Sequence, residues 1–449
     1  MTEVMPIVMC LTECKNMSGT TLNQLGRIVL AVLTMKGRVT MLGISRWTEK
    51  GGSYRTVQRF FAKELPWANM MWTLFRTKVF NTEDEYIIAG DETIVTKSGK
   101  GTHGLDKFYS SIYNRPVKGL SFWGLSLVSV KERKSYPVVI EQRIKSDEEK
   151  KGSQAKKEAK NARKKIKGKH GRPKGSKDKD KTQIEWNPEL RLLEKMMKRL
   201  FELIAGCFTV SYLVLDGHFG NNNAMQVVLQ TAKLHLISKL RCDSELYFRY
   251  DGEQKQFGRK RKYGDKIDYQ NISDKYLVSD TRNEHIQTLT YQAHMLHHLF
   301  AQVLNIVIIV QIDHLTGKRG HVVLFSSDLE LSYEKLVDYY RLRFQIEFNF
   351  RDAKQFWGLE DFMSTEKQQV TNAVNLSFFM VTLSHVLLRK MQTEYPDMGL
   401  LDLKSFFLGR RYASETLKLL PESHTPFNPE SIIRAVAALG WVHPCTIHA

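Results

Sequence analysis

The chain has 449 residues, with 67 Lys+Arg against 48 Asp+Glu and a formal net charge of +19. Such a length suffices for two to three domains with sizeable cores, and 42% hydrophobic with 10% aromatic residues excludes a chain disordered throughout. A pI near 9.5 points to a polyanionic partner, nucleic acid first and an anionic membrane surface second.

The most apolar runs, 28–35 and 304–312, fall short of the roughly 18 residues of a membrane span, so no membrane segment is expected. No basic segment near the N-terminus leads into a long apolar stretch, which speaks against a secretory signal. The five cysteines, Cys10, Cys14, Cys207, Cys242 and Cys445, are scattered and make no disulfide framework, as suits a reducing cytoplasm.

Residues 1–84 read as a helical DNA-binding domain. Leu22, Leu25, Val29, Val32 and Leu33 recur at helical spacing. Gly51-Gly52-Ser53 then supplies a turn and an N-cap for a short helix from Tyr54. On it Val57, Phe60 and Phe61 face a core, while Arg55, Thr56 and Arg59 face outward. A recognition helix is arranged in this way, and so is an ordinary surface helix. Arg55 and Arg59 are the DNA contacts expected there.

Three strands are expected at 85–96, 120–130 and 135–144, each rich in β-branched and aromatic residues, with 105–115 as a loop between strands. From 145 to 181 there are 16 Lys/Arg and 6 Asp/Glu, a net +10 that is about half of the whole excess. Almost no large apolar side chain lies in this run, so it is expected to be a flexible insertion when free. Gly171-Arg172-Pro173-Lys174-Gly175 resembles an AT-hook core, which would make Arg172 and Lys174 minor-groove contacts. A solvated linker is the alternative.

Asn187-Pro188 opens a helix reaching about residue 205. A fourth strand at 211–215 ends in Asp216-Gly217-His218, and a helix at 223–233 leads to a fifth strand at 235–240. The order βββαβαβ implies an α/β fold with a mixed sheet flanked by helices. Residues 241–325 are strand-like, basic and Tyr-rich, and read as an insertion. A long helix from Ser332 past Phe356 and further helical sequence, including 375–391, complete the chain; residues 361–449 form a helical C-terminal region.

Two carboxylates stand out by position. Asp91 lies inside the first strand among Ile87, Ile88, Ile94 and Val95, where an unpaired charge loses hydration, and Asp216 caps the fourth. Glu92 should point to the opposite face of the sheet. The long helix carries Tyr340-x2-Arg343-x3-Glu347-x6-Lys354, and at about 100° per residue these four fall within about 60° of one another. Asp338 falls on the far side of that helix. A surface ion-pair ladder is the plain alternative, but it gives no reason for two strand carboxylates to precede the stripe.

This signature resembles that of the insertion-sequence-four superfamily of bacterial DDE transposases. Gly90-Asp91-Glu92-Thr93 and Val214-Leu215-Asp216-Gly217-His218-Phe219-Gly220 resemble the segments that bear the family's first two catalytic acids. The resemblance covers about residues 85–360 and implies a ribonuclease-H-like catalytic core over that span. It also implies Asp91, Asp216 and Glu347 as catalytic and metal-binding residues, and Tyr340, Arg343 and Lys354 as contacts to DNA near the scissile phosphate. Two Mg2+ ions per active site, with Mn2+ expected to substitute, would activate the nucleophile and stabilise the leaving oxygen. The implied partners are double-stranded DNA, as terminal inverted repeats and as target, and further copies of the chain in a homodimer or larger assembly. The implied setting is the bacterial cytoplasm, at the nucleoid.

One feature departs from the family. Hairpin-forming members place a Trp between the second and third acids, whereas Trp47, Trp67, Trp72, Trp123, Trp186, Trp357 and Trp441 all lie elsewhere. Other signals are weaker. Gly99-x-Gly101-x-x-Gly104 matches a dinucleotide fingerprint literally but lacks the helix and the acid that it needs, so no nucleotide cofactor is expected. His294, His297 and His298 have the i, i+3, i+4 spacing of a helix face without accompanying Cys-x2-Cys, and read as a surface or core cluster. Cys10 and Cys14 read as packing residues, and His218 as a neighbour of the active site. The expectation is a transposase that binds the ends of its own element, cuts there and joins them to target DNA. The alternatives are a domesticated DNA-binding protein without catalysis, and a nuclease that cuts without joining.

Overall fold

The structure, a computed structural model, describes residues 3–418 and 429–437 except 16, 49–51, 111–112, 147–148 and 150–179. Arg172 and Lys174, with most of the basic run, lie outside the described residues.

The N-terminal part is helical: α1 (Val4–Val8), α2 (Gly19–Thr34), α3 (Met41–Trp47), α4 (Tyr54–Ala62) and α5 (Trp67–Lys78). Ser18 and Ser53 start α2 and α4 by accepting hydrogen bonds from the Thr21 and Thr56 N–H groups, which would otherwise lack partners in the first turn. On α4 Val57, Phe60 and Phe61 are buried, and Arg55 and Arg59 are exposed. Cys14 is buried and its thiol donates to Thr73.

Among the described residues, twelve strands form one mixed sheet. They are β1 (Tyr86–Thr96), β2 (Asp106–Ser110), β3 (Arg115–Ser129), β4 (Lys134–Arg143), β5 (Tyr212–Val214) and β6 (His235–Leu240). The insertion adds β7 (Leu246–Arg249), β8 (Tyr263–Lys266), β9 (Leu277–Asn283), β10 (Ile286–His297), β11 (Leu304–Asp313) and β12 (Arg319–Ser326). The order is β2-β3-β1-β5-β6-β12-β11-β10-β7-β8, with β4 also on β3 and β9 also on β10. β1, β5 and β6 run parallel to one another, and the remaining pairs are antiparallel. The inserted strands thus extend the core sheet through β12 on β6.

Helices cover both faces. They are α6 (Pro188–Ile204), α7 (Asn222–Ala232), α8 (Tyr333–Leu342), α9 (Gln345–Gln355), α10 (Lys367–Met391), α11 (Leu400–Lys418) and α12 (Pro429–Ala437). One core joins Ile87, Ala89 and Val214 to Leu342, Ile346 and Phe350 of α8 and α9, to α10 and to the N-terminal helices. The other joins Ile88, Leu213 and Leu215 to α6 and α7. Alternation along β1 therefore sends 87, 89 and 91 toward α8–α10 and sends 88 and 92 toward α6. The result is the mixed, helix-flanked sheet of a ribonuclease-H-like fold.

Three sequence expectations need correction, and the helix face weighed for three histidines falls away. The stretch 105–115 contains strand β2, which pairs with the first residues of β3. His294 and His297 lie on β10, and His298 directly follows it, so the three do not share a helix face. The long helix from Ser332 is interrupted after Leu342. There the Phe344, Ile346 and Glu347 N–H groups bond to carbonyls three residues back, which tightens one turn. Finally, α10 is long and apolar enough to cross a membrane by length and composition, but 83% of its apolar window is buried inside the protein. It is the central core helix.

Candidate active site

The strand register brings the first two acids together. Ala89 pairs with Val214 across the parallel strands β1 and β5, so Asp91 and Asp216 lie two residues further along neighbouring chains and on the same face. Asp91 stands opposite Gly124 of β3. Asp216 follows the end of β5, where its Oδ1 caps a short 3₁₀ turn by accepting from His218 N–H at 3.2 Å. That turn packs flush on β6. A Cβ at Gly220 would lie 2.1 Å from the Lys239 carbonyl oxygen, so only glycine fits there.

The third acid arrives from the helical layer. Glu347 is in the first turn of α9, and Asn349, two residues on, is buried and donates to Ser126 Oγ at 3.3 Å and Ser135 Oγ at 2.8 Å. These bonds fix α9 against β3 and β4. Phe350 packs beside Gly124, the glycine opposite Asp91.

Arg343, at the break between α8 and α9, stands among the acids. Its Nη1 donates to Asp91 Oδ2 at 2.7 Å and its Nη2 to Glu347 Oε1 at 3.3 Å. The Arg343 side chain is 14% exposed, that of Asp91 22% and that of Glu347 41%. Burial pushes the Asp91 carboxyl up to about 6; Asp216 and Glu347 push the same way, while Arg343 and the Glu92 N–H oppose them. Burial disfavours the charge on Arg343, but Asp91, Tyr340, Glu347 and Asp216 more than offset it. Tyr340 lies against the guanidinium, 5.9 Å from its ring centroid, and burial raises its hydroxyl pKa.

Lys354 does not join this group. Its Nζ donates to the Ile94 carbonyl at 2.9 Å and lies 3.6 Å from Glu360, about two turns or ~10 Å beyond Glu347 on the same helix. Asp338 is directed away and pairs with Arg133.

Behind the acids, on the α6 face, is a polar chain that the sequence did not disclose. Glu92 accepts from Ser121 and lies 3.9 Å from Arg143, which bonds Glu189 at 2.7 Å. Glu189 in turn meets His218 Nε2 at 3.0 Å. The bond to Glu189 raises the His218 pKa, and the bond from His218 lowers that of Glu189 against the opposing effect of burial. The chain ties Asp216's turn to the strand that carries Asp91. Three separate hints were visible, Glu92 on the opposite face of its strand, His218 beside Asp216, and Asn187-Pro188-Glu189 as a helix start with an acid in its first turn, but nothing linked them.

Residues 15–296 match the family described as DDE superfamily endonuclease. The chain belongs to that family. The matched residues include Asp91 and Asp216 and end before Glu347. No curated protein matches the chain. Membership gives this DDE endonuclease a nuclease- or transposase-type function on DNA, in a family whose enzymes generally use divalent metal ions.

The residues at the site fit such an ion in kind. Asp91, Asp216 and Glu347 offer only oxygen, the donor that hard divalent cations prefer, and all three lie close enough to Arg343 to act on its charge. Among the described residues no three acidic, His or Cys side chains are closed tightly enough to hold an ion, and at this site Arg343 lies between two of the acids.

Proposed function

We propose that the chain is a metal-dependent transposase of the insertion-sequence-four type. In this reading it binds the terminal inverted repeats of its own element, cleaves the DNA at the element ends and transfers the 3′ ends to target DNA. The observation that carries the proposal is the gathering of Asp91, Asp216 and Glu347 around Arg343, where two parallel strands meet the start of a helix.

Asp91, Asp216 and Glu347 would hold two Mg2+ ions, or Mn2+ in their place. When bound, such ions activate a water or a 3′-hydroxyl and stabilise the leaving oxygen of an in-line displacement. Arg343 neutralises the acids while no DNA is present, and a scissile phosphate offers its guanidinium a second anionic partner with matching fork geometry. A shift of Arg343 onto that phosphate frees Asp91 and Glu347 and sets a positive charge where the transition state gains negative charge. Tyr340 limits where the guanidinium can go by packing on it. Lys354 reaches DNA only by leaving the Ile94 carbonyl. Arg55 and Arg59, exposed on α4, supply contacts to the terminal repeats. Two element ends must meet, so the active form is a homodimer or larger assembly on DNA, working at the bacterial nucleoid.

The proposal is tested by incubating the purified chain with duplexes that carry the sequences flanking its gene, with Mg2+ or with EDTA, and resolving the products on one gel. Metal-dependent cuts at the repeat ends followed by joined products support it. Cuts without joined products would reduce the protein to a nuclease. Saturated binding with no cut would reduce it to a DNA-binding protein.

A further inference from the structure

Beyond the acids, a concentration of basic charge lies on the hairpin of β7 and β8, at the far end of the sheet. From 246 to 266 the sequence holds seven Lys/Arg and three Asp/Glu. Lys255, Lys260 and Lys262 are exposed and make no ion pair among the described residues, whereas Lys266 just below them pairs with Glu245. At the tip Phe257 is 86% exposed. Burying that ring against a partner would remove a large apolar surface from water.

The loop between these strands is braced. The Gln254 side chain accepts from Arg261 N–H and donates to the Arg261 carbonyl, both at 2.9 Å, and so closes the loop across its width. The Tyr250 N–H donates to the Lys262 carbonyl, and its hydroxyl donates to the Glu253 carbonyl. The Arg261 guanidinium lies over the Tyr250 ring at 4.5 Å. Gly258, with φ of 97°, allows the reversal directly after Phe257. Phe257 and the lysines are thus presented by a shaped tip rather than by a loose chain, which reduces the entropy lost on docking.

We propose that this tip, residues 254–262, is a second contact for duplex DNA. Lys255, Lys260 and Lys262 neutralise backbone phosphates, and Phe257 wedges into a base step, as apolar side chains of architectural proteins do. The inference rests on the reading of the chain as an enzyme that acts on DNA. β8 is seven strand spacings from β1. At about 4.8 Å each this places the tip on the order of 34 Å from Asp91 along the sheet, or roughly ten base pairs of duplex. The contact therefore falls about one helical turn from the cleaved phosphate.

The test uses the full chain and a labelled duplex, on the order of 40 base pairs, made from the DNA that flanks the gene and titrated across salt concentrations. Replacing Lys255, Lys260 and Lys262 by Ala should weaken binding on the order of 100-fold near physiological salt and lower the salt slope by two to three. Restoring the charge with Arg at all three positions should recover both. Phe257→Ala should keep the slope while abolishing the fluorescence rise of a 2-aminopurine placed about one turn from the cut site. All these positions are exposed, so the thermal midpoint should not move.

A triple variant with wild-type affinity and slope overturns the proposal, as does a loss of affinity that Arg does not restore. Cleavage separates the two readings: wild-type protein that binds through the tip but never cuts sinks the proposed function and leaves this contact standing. Wild-type protein that binds no duplex sinks both.

Discussion

Arg343 donates to Asp91 at 2.7 Å and to Glu347 at 3.3 Å, so one guanidinium bridges an acid of the central strand and an acid of the covering helix. An internal cation held there competes with any divalent ion for the same oxygens. At an effective dielectric near 20, a unit charge about 4 Å away contributes roughly 4 kcal/mol, enough to decide occupancy. Arg343→Gln should therefore bind Mn2+ at least tenfold more tightly than wild type in the absence of DNA, while its DNA cleavage falls at least 100-fold. Electron paramagnetic resonance of free Mn2+ measures the first effect and a gel the second. Equal Mn2+ affinity in the two proteins would show that Arg343 does not occupy the ion's place.

Asn349 holds Glu347 in position without being near the phosphate. Its side-chain amide serves both Ser126 and Ser135, and all three residues are buried. Asn349→Ala leaves two buried hydroxyls short of a partner and opens a small void, at a cost of about 2–4 kcal/mol. Chemical denaturation should report that loss. Cleavage should fall more than DNA affinity, because what shifts is the helix bearing Glu347.

The fold carries an acid-sensitive element away from the site. Burial pushes the His385 pKa down to about 4, with Lys134 and Arg389 acting in the same direction. Its ring packs edge-on against Tyr136, and its Nδ1 is shut off from solvent without a partner among the described residues. Above the ordinary value of 6.5 His385 is neutral in both folded and unfolded chains and has no effect on stability. Between 6.5 and 4 only the unfolded chain takes up the proton, so stability falls with falling pH by at most about 3 kcal/mol. His385→Phe should flatten the thermal-midpoint profile over that window. An unchanged profile would place the acid sensitivity elsewhere.

Much of this arrangement was legible because the strands that bear Asp91 and Asp216 are strongly β-patterned and bury both faces. Three strands and the helix Pro188–Ile204 separate them in sequence, and that helix returns the chain so that β5 lies parallel beside β1. The break at Arg343 and Phe344 was not legible. Arg341-Leu342-Arg343-Phe344-Gln345 contains no Gly or Pro, and the break goes with the tertiary bond from Arg343 to Asp91 and its local bond to Glu347. Angular spacing put Lys354 on the face of Glu347 but takes no account of the roughly 10 Å between them along the helix, and Lys354 instead bonds the Ile94 carbonyl. β2 was missed because a short strand flanked by turns has too few residues to display alternation. The histidines at 294, 297 and 298 show the converse, since helical spacing over five residues also occurs by chance in a strand.

In the proposed function Asp91, Asp216 and Glu347 act together in DNA cleavage. The most direct measurement is single-turnover cleavage of one labelled duplex bearing the repeat end, by wild type and by Glu347→Gln in Mg2+, with affinity for the same duplex measured in parallel. Cleavage should fall at least about a thousandfold while affinity changes by no more than about threefold. A variant that still cuts at a tenth of the wild-type rate, or one that loses binding in step with cleavage, would contradict the proposed function.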